Sequence, residues 1–276
     1  EVTYGVPQGS LLGPILFLIY INDFNKCHNS ISVQYANDKA IITSDNDINA
    51  LYEKTNLELQ NIFDWFCANK LSLNTAKTVF MIISNKRDLV RQNCHLQINN
   101  SPLKEVKETK FLGIVLDNKL TFKSHINHVA NKVAKITYII YRIKSYVPCS
   151  VLKTLYYSLA YPHLTYNITI WGSASASTIT PLIIQTKRLI RLIYGSQEYQ
   201  SHTNIMFKEL QILKLYDIYK LSVSTYMHRI LMGDAPKMVT HEIEKNQSQH
   251  TYTTRQDLTY IKTPQYTLEM ARKAFT

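Results

Sequence analysis

Side chains able to ligate metals, exchange protons or act as nucleophiles are thinly spread over this 276-residue chain. Cys27, Cys67, Cys94 and Cys149 form no Cys-x-x-Cys pair, so neither a zinc site nor a disulfide framework is read and reduced thiols fit the pattern. His125 and His128 stand three apart and could chelate a metal from one helix face; with no third ligand nearby they read as polar-face residues of a basic helix. Asp23, Asp45, Asp47, Glu53 and Asp64 read as helix caps and surface charges. Two features are concentrated instead. Three of only seven glycines (Gly5, Gly9, Gly13) fall in the first thirteen residues, around Pro7, Gln8 and Ser10. Further on, the interval between Asp117 and Glu198 contains no acidic residue at all. The first feature is a backbone device; the second is a way to meet a polyanion.

The charge arithmetic sharpens the second feature. Lys and Arg number 31 against 20 Asp and Glu, a net charge of +11. Residues 118–197 carry Lys119, Lys123, Lys132, Lys135, Arg142, Lys144, Lys153, Lys187, Arg188 and Arg191, so ten of those eleven net charges lie there. Nucleic acid is the first partner such a balance suggests and an anionic membrane surface the second. A hydrophobic share of 45% excludes a disordered polycation. The longest apolar run, 15-ILFLIYI-21, falls well short of the ~20 residues of a membrane span, and no secretory leader is visible.

The elements that must position these residues follow from apolar periodicity. Residues 10–25 read as a buried helix entered from the Gly/Pro loop, with Ser10 as a cap and Pro14 in the first turn. Residues 31–43 read as a short hairpin broken at 36-ANDKA-40. Asp45 or Asp47 caps a helix whose stripe runs Ile48, Leu51, Tyr52, Thr55, Leu59, Ile62, Phe63 and Phe66. Strand-like 78–84, 94–98 and 110–117 complete a mixed first half. From 122 the signal is helical: Ile126, Val129, Ala130, Val133, Ile136, Ile140 and Ile143 keep one stripe, and later helices fall near 149–161, 176–194, 203–212 and 216–232. Residues 240–276 are polar and weakly patterned. Most of the nineteen tyrosines read as core or half-buried, although exposed ones could stack on unpaired bases.

The segment 5-GVPQGSLLGPILFLIYINDF-24, followed by 35-YAND-38, resembles the central motifs of reverse transcriptases, and more narrowly those of non-LTR (LINE-type) retrotransposons. Further matches come in the same order: 69-NKLSLNTAKT-78 resembles the next palm motif, 111-FLG-113 the primer grip, and 250-HTYTTR-255 a segment downstream of such polymerases. The resemblance implies an α+β fold: an incomplete polymerase palm with antiparallel strands and helices over 1–117, an all-α thumb-like region over 118–239, and a loose tail over 240–276. Gly5, Pro7, Gln8, Gly9 and Ser10 would then lie against template and nucleotide. Glycines there allow close backbone approach, and Gln8 offers both donors and acceptors. The plainer reading of the same residues is a Gly/Pro turn before a core helix. Phe111, Leu112 and Gly113 would grip the primer end, and Lys77 would stand near the nucleotide phosphates or be a solvated lysine before a strand. Lys123, Lys132, Lys135, Arg142, Lys187, Arg188 and Arg191 would hold duplex phosphates.

The family joins nucleotides by two-metal chemistry, its Mg²⁺ (or Mn²⁺) ions held by an Asp upstream of the Gly-Pro-Gln loop and by the paired Asp of a Tyr-Ala-Asp-Asp hairpin. Here the sequence begins after the first of those places, and the hairpin reads Tyr35-Ala36-Asn37-Asp38. Asn37 keeps a carbonyl oxygen but loses the charge a hard cation needs, so Asp38 belongs to an incomplete metal site and the ion is held weakly. Asn tolerates turn conformations as Asp does, so the hairpin itself is expected to survive. The implied partners are an RNA template, a DNA primer, their RNA–DNA duplex and, for the complete enzyme, deoxynucleoside triphosphates; no membrane is implied, and the setting is intracellular, in cytoplasm and nucleus. The expectation is a polymerase fragment inactive by itself. A non-catalytic nucleic-acid-binding module and a decayed element copy stand as alternatives.

Overall fold

The computed structural model describes residues 7, 9–84, 95–195 and 202–234. The chain divides into two compact units, Glu1–Thr109 and Lys110–Thr276, and mixes helices with short strands in the α+β manner. The polar stretch 240–276, with 250-HTYTTR-255, lies outside the described residues, as do Gly5, Gln8 and Cys94.

In the first unit, Ser10 opens helix α1 (Leu12–Tyr20): its Oγ accepts from the Gly13 N–H at 3.1 Å. The helix is present, but its expected burial is corrected. None of its residues is buried, and Leu12, Ile15, Leu16, Leu18 and Ile19 are each half exposed or more. A helix apolar on every side signals a burial partner, and the described residues supply none. Strands β1 (Ile31–Tyr35) and β2 (Asp38–Ile42) pair antiparallel around the two-residue turn Ala36-Asn37. Asp47, not Asp45, caps α2 (Ile48–Ala68), accepting from the Ala50 N–H at 2.9 Å. The unit's core joins Phe24, Ile62 and Phe66, with Ile41, Trp65 and Leu71 against them. Buried Glu58 on α2 accepts the Asn29 N–H with both carboxylate oxygens.

Of the strand expected over 78–84 only β3 (Val79–Phe80) forms, and it pairs parallel with β6 (Lys104–Glu105), so not every pairing here is antiparallel. Between them β4 (Gln97–Ile98) and β5 (Ser101–Pro102) turn through Asn99 and Asn100, both at positive φ, the conformation that tight hairpins favour. The unit boundary falls inside β7 (Glu108–Phe111). Residues 110–117 are not one strand: β7 folds back onto β8 (Ile114–Asp117) through Leu112 (φ 44°) and Gly113 (φ 83°).

The second unit is built on α3 (Lys123–Ile143), which runs along α7 (Ala176–Tyr194). Ile126, Val129, Val133, Ile136 and Ile140 meet Leu182, Leu189, Ile190 and Ile193 in one core with Leu164, Ile168 and Trp171. The helix expected over 149–161 is α4 (Cys149–Leu155), followed by a π turn (Tyr156–Ala160) and α5 (Tyr161–Thr165); α6 (Ile168–Trp171) comes next. Ser175 caps α7, and Gly195, at φ 82°, ends it in a left-handed cap. Helices α8 (Thr203–Glu209) and α9 (Leu215–Leu231) complete the unit. Among the described residues no helix is long and apolar enough to cross a membrane.

Candidate functional site

In the first unit the Gly/Pro loop is closed by the Ser10 N–H donating to the Pro7 carbonyl at 3.1 Å, with Gly9 at φ +85°. A Cβ at Gly9 would meet nothing within 4 Å, so the glycine serves the backbone conformation and leaves open space beside it.

The hairpin sorts its residues by face. Ile31, Val33 and Tyr35 stand opposite Ile42, Ala40 and Asp38, so Asp38 and Tyr35 share the tip of one face. On the other face Lys39 lies over the Phe24 ring at 4.5 Å and donates to Gln34, while Asn25 accepts from Ser32 and Gln34. The hairpin geometry is intact, but its unusual φ falls on Ala36 (50°) rather than on Asn37. The tolerance of Asn for turns is therefore not what holds it. Asn37 and Asp38 are both exposed at the tip. One carboxylate and one amide are a poor donor set for a hard divalent cation. Among the described residues no three His, Cys, Asp or Glu side chains are grouped as a metal would need. Lys77 is exposed two residues before β3, its N–H donating to the Asn74 side chain at 3.2 Å.

In the second unit the turn at Leu112-Gly113 is clamped from one side. Tyr166, between α5 and α6, donates its hydroxyl to the Leu112 carbonyl at 2.7 Å, and its ring would lie 3.1 Å from a Cβ on Gly113. Trp171 donates to the Tyr166 carbonyl at 3.0 Å, which ties the clamp to the core. Asp117 is missed as a positioning residue by sequence reasoning, although it is the last acid before the basic interval. It is buried, and it accepts from the N–H groups of Lys119, Thr121 and Phe122 and from the Thr121 hydroxyl. Loop 118–122, with Leu120 and Phe122 at positive φ, is thereby set for the start of α3.

The cations assigned to duplex phosphates do not form one stripe. Lys132 and Lys135 share an α3 face with His128 and Arg142. Lys132 is near enough to His128 on α3 and His163 on α5 to depress both imidazoles, and Lys110 on β7 acts on His128 as well. For each imidazole burial is the larger cause. Lys110 and His163 are members that spacing along one helix does not reveal. Arg188 and Arg191 instead line a cleft with Lys144, on another side of α3; Lys123 and Lys187 are exposed elsewhere. His125 is not a polar-face residue: it is buried, its Nδ1 accepts from the Val115 N–H at 3.4 Å, and its ring tilts against Trp171. The tyrosines also depart from expectation, since ten of the described ones are exposed.

Residues 1–116, which carry the loop, the YAND hairpin, Lys77 and the FLG turn, match the reverse transcriptase (RNA-dependent DNA polymerase) family. Likeness to the polymerases of non-LTR retrotransposons runs further. The chain is 28% identical over 83% of its length to the RNA-directed DNA polymerase from mobile element jockey of Drosophila melanogaster, of which it spans 26%. It is 24% identical over 83% of its length to the probable RNA-directed DNA polymerase from transposon X-element of the same species, spanning 26% of it. With the Pol polyprotein from type-1 retrotransposable element R1 of Bradysia coprophila it shares 23% identity over 86% of its length and 22% of the relative's. The chain thus spans about a quarter of the length of these relatives. No solved structure matches it.

Proposed function

We propose that this chain is the palm remainder (1–117) and thumb (118–239) of a non-LTR reverse transcriptase, and that it holds an RNA template–DNA primer duplex by its phosphates. The family match and the acid-free basic helices support this reading together. Gly9 and Ser10, with Gly5, Pro7 and Gln8, lie toward template and nucleotide; Phe111, Leu112 and Gly113 hold the primer end; Lys77 faces nucleotide phosphates. Polymerases of this family use divalent metals, but the hairpin here offers Asp38 beside an uncharged Asn37, which does not suit Mg²⁺. The hairpin therefore does not hold the metal pair that nucleotide transfer needs, and deoxynucleoside triphosphates are substrates of the parent enzyme. Such a protein works inside the cell, where template RNA and target DNA meet.

The observation that carries the proposal is an intact hairpin in which Asn37 stands where the family has the first of two carboxylates, in a chain with cationic, acid-free helices over 118–197. It also favours a second reading, a nucleic-acid-binding module without catalysis. Primer extension with Mg²⁺ and with Mn²⁺, beside duplex binding at several salt concentrations, separates the two. Binding that weakens steeply with salt, without extension, is the expected result. Extension lost on Asp38→Ala would overturn the inactivity, and no binding even at low salt would overturn both readings.

A further inference from the structure

Lys110, His128 and His163 have no task in the duplex reading, yet the second unit gathers them around Lys132. On α3, His128, Lys132 and Lys135 recur at i, i+4 and i+7 and so share a face. The His125 imidazole, one turn before His128, accepts from the Val115 N–H and fixes α3 against β8, the partner strand of β7. Lys110 stands on β7. The Tyr166 hydroxyl, three residues after His163, donates to the carbonyl of Leu112, two residues after Lys110, and so holds the end of α5 to the end of β7. His128, Lys110 and Lys135 are exposed and Lys132 and His163 half-buried, so the cluster is open to solvent. Lys110, His128, Lys132 and His163 have no hydrogen-bond or ion-pair partner among the described residues. Lys132, Lys110 and Lys135 act on His128, Lys132 and His128 act on His163, and His125 stands beside His128 on α3. No carboxylate acts on either imidazole: Glu108 of β7 is engaged elsewhere, and Asp117 of β8 is bound up with loop 118–122.

Burial and these lysines keep both imidazoles neutral in the free chain near pH ~7. A neutral imidazole offers one donor, whereas an imidazolium offers two and a charge. An anion among the lysines offsets their repulsion, so protonation that costs stability in the free chain becomes favourable in the complex. The same face continues from His128 through Lys135 to Arg142, roughly 21 Å along α3. That length matches a repeating polyanion better than a small one, since a duplex carries a charge every ~1.7 Å of its axis. We propose that Lys110, His128, Lys132 and His163 form one site for a backbone phosphate of the duplex, and that its imidazoles take up a proton as the phosphate binds. The site rests on the duplex reading and adds to it two histidines, a lysine from β7 and a dependence on pH. In the free chain both imidazoles titrate below the ordinary histidine value, and a bound phosphate raises them. Uptake therefore occurs between the free and bound values, and duplex affinity rises as pH falls through that window and levels off below it.

The test is titration calorimetry of the 276-residue chain with an RNA–DNA duplex, in two buffers of different ionisation enthalpy. Fluorescence anisotropy from pH ~8 to ~6.5 accompanies it. The binding heat is expected to differ between the buffers by the uptake of roughly one proton per site near pH ~7, and affinity to rise ~5-fold across the range. His128→Gln/His163→Gln, neutral at every pH, should abolish the uptake and flatten the profile. His128→Lys/His163→Lys, charged throughout, should flatten it too, while tightening duplex binding severalfold at pH ~8. Neither imidazole is part of the core, so the variants keep the fold, which thermal melts at each pH verify. Sodium sulfate, a dianion that does not titrate in this range, replaces the duplex in a further arm. Histidine-dependent uptake with sulfate at an affinity equal to the duplex's would assign the site to a small free anion and overturn the inference. Duplex binding without proton uptake, or with uptake unchanged in the glutamine pair, would overturn it and leave the duplex reading intact. Absence of duplex binding in low salt at every pH would overturn both.

Discussion

At the scale of single residues, two buried polar groups govern the second unit. Asp117 gathers four hydrogen bonds from loop 118–122, one of them from the Phe122 N–H at 2.6 Å. Removing the carboxylate leaves several donors with no acceptor where water is scarce. Asp117→Ala should therefore cost ~3 kcal/mol, and Asp117→Asn, which keeps one acceptor oxygen, distinctly less, as read from urea midpoints. His125 works through protonation. Burial lowers its proton affinity below the ordinary histidine value, and His128 and Lys132 lower it further. The unfolded chain then binds the proton more readily than the native one. The stability His125 contributes is complete above the unfolded histidine value of ~6.5 and declines as pH falls below it. Urea midpoints should fall on acidification from ~7.5 to ~5.5, and His125→Asn, which keeps an acceptor for the Val115 N–H, should flatten the fall. His128 and His163, displaced in the same direction, contribute to the slope that remains.

At the scale of elements, the long helices and the 31–43 hairpin were legible, and the break at Leu112-Gly113 was not. The stripe from Ile126 to Ile143 predicts α3 to within a few residues because 3.6-residue periodicity persists over six turns. The run 110–117 looks like one strand because it is rich in large apolar and β-branched residues; what breaks it is Leu112 in a left-handed conformation beside Gly113, stabilised by Tyr166 more than fifty positions away. His125 reads as a polar-face residue for the same reason, since the Val115 N–H and the Trp171 ring that receive it come from other elements. Of the candidate site, the YAND hairpin and the FLG turn were recognisable by motif, whereas the grouping of Lys110, His128, Lys132 and His163 needs three elements at once. Gly172 shows the same dependence on distant packing. A Cβ there would sit 2.4 Å from the Tyr219 ring of α9 and 2.5 Å from the Ile168 carbonyl. Neither neighbour is a flexible chain end. Gly172→Ala should destabilise the unit by ~2 kcal/mol through overpacking, and Gly172→Ala/Tyr219→Leu should recover part of that loss in a thermal melt.

At the scale of the whole chain, positive charge is concentrated in one interval of the sequence. Ten of the eleven net positive charges lie in 118–197, and the structure does not gather them on one surface of the second unit. A cation that meets a duplex phosphate releases a counterion, and each such contact steepens the decline of log K with log salt by somewhat under one unit. A cation serving only solubility releases none. Lys132 and Lys135 belong to the face with His128 and Arg142, so Lys132→Ala/Lys135→Ala should reduce the magnitude of the duplex salt slope by ~2. Lys144→Ala, on another side of the helix, should leave that slope nearly unchanged. Anisotropy titrations over a series of salt concentrations give both slopes. Equal changes in the duplex slope per cation removed would mean that the basic interval acts as one diffuse field, and the assignment of the duplex to the Lys132 face would then be wrong.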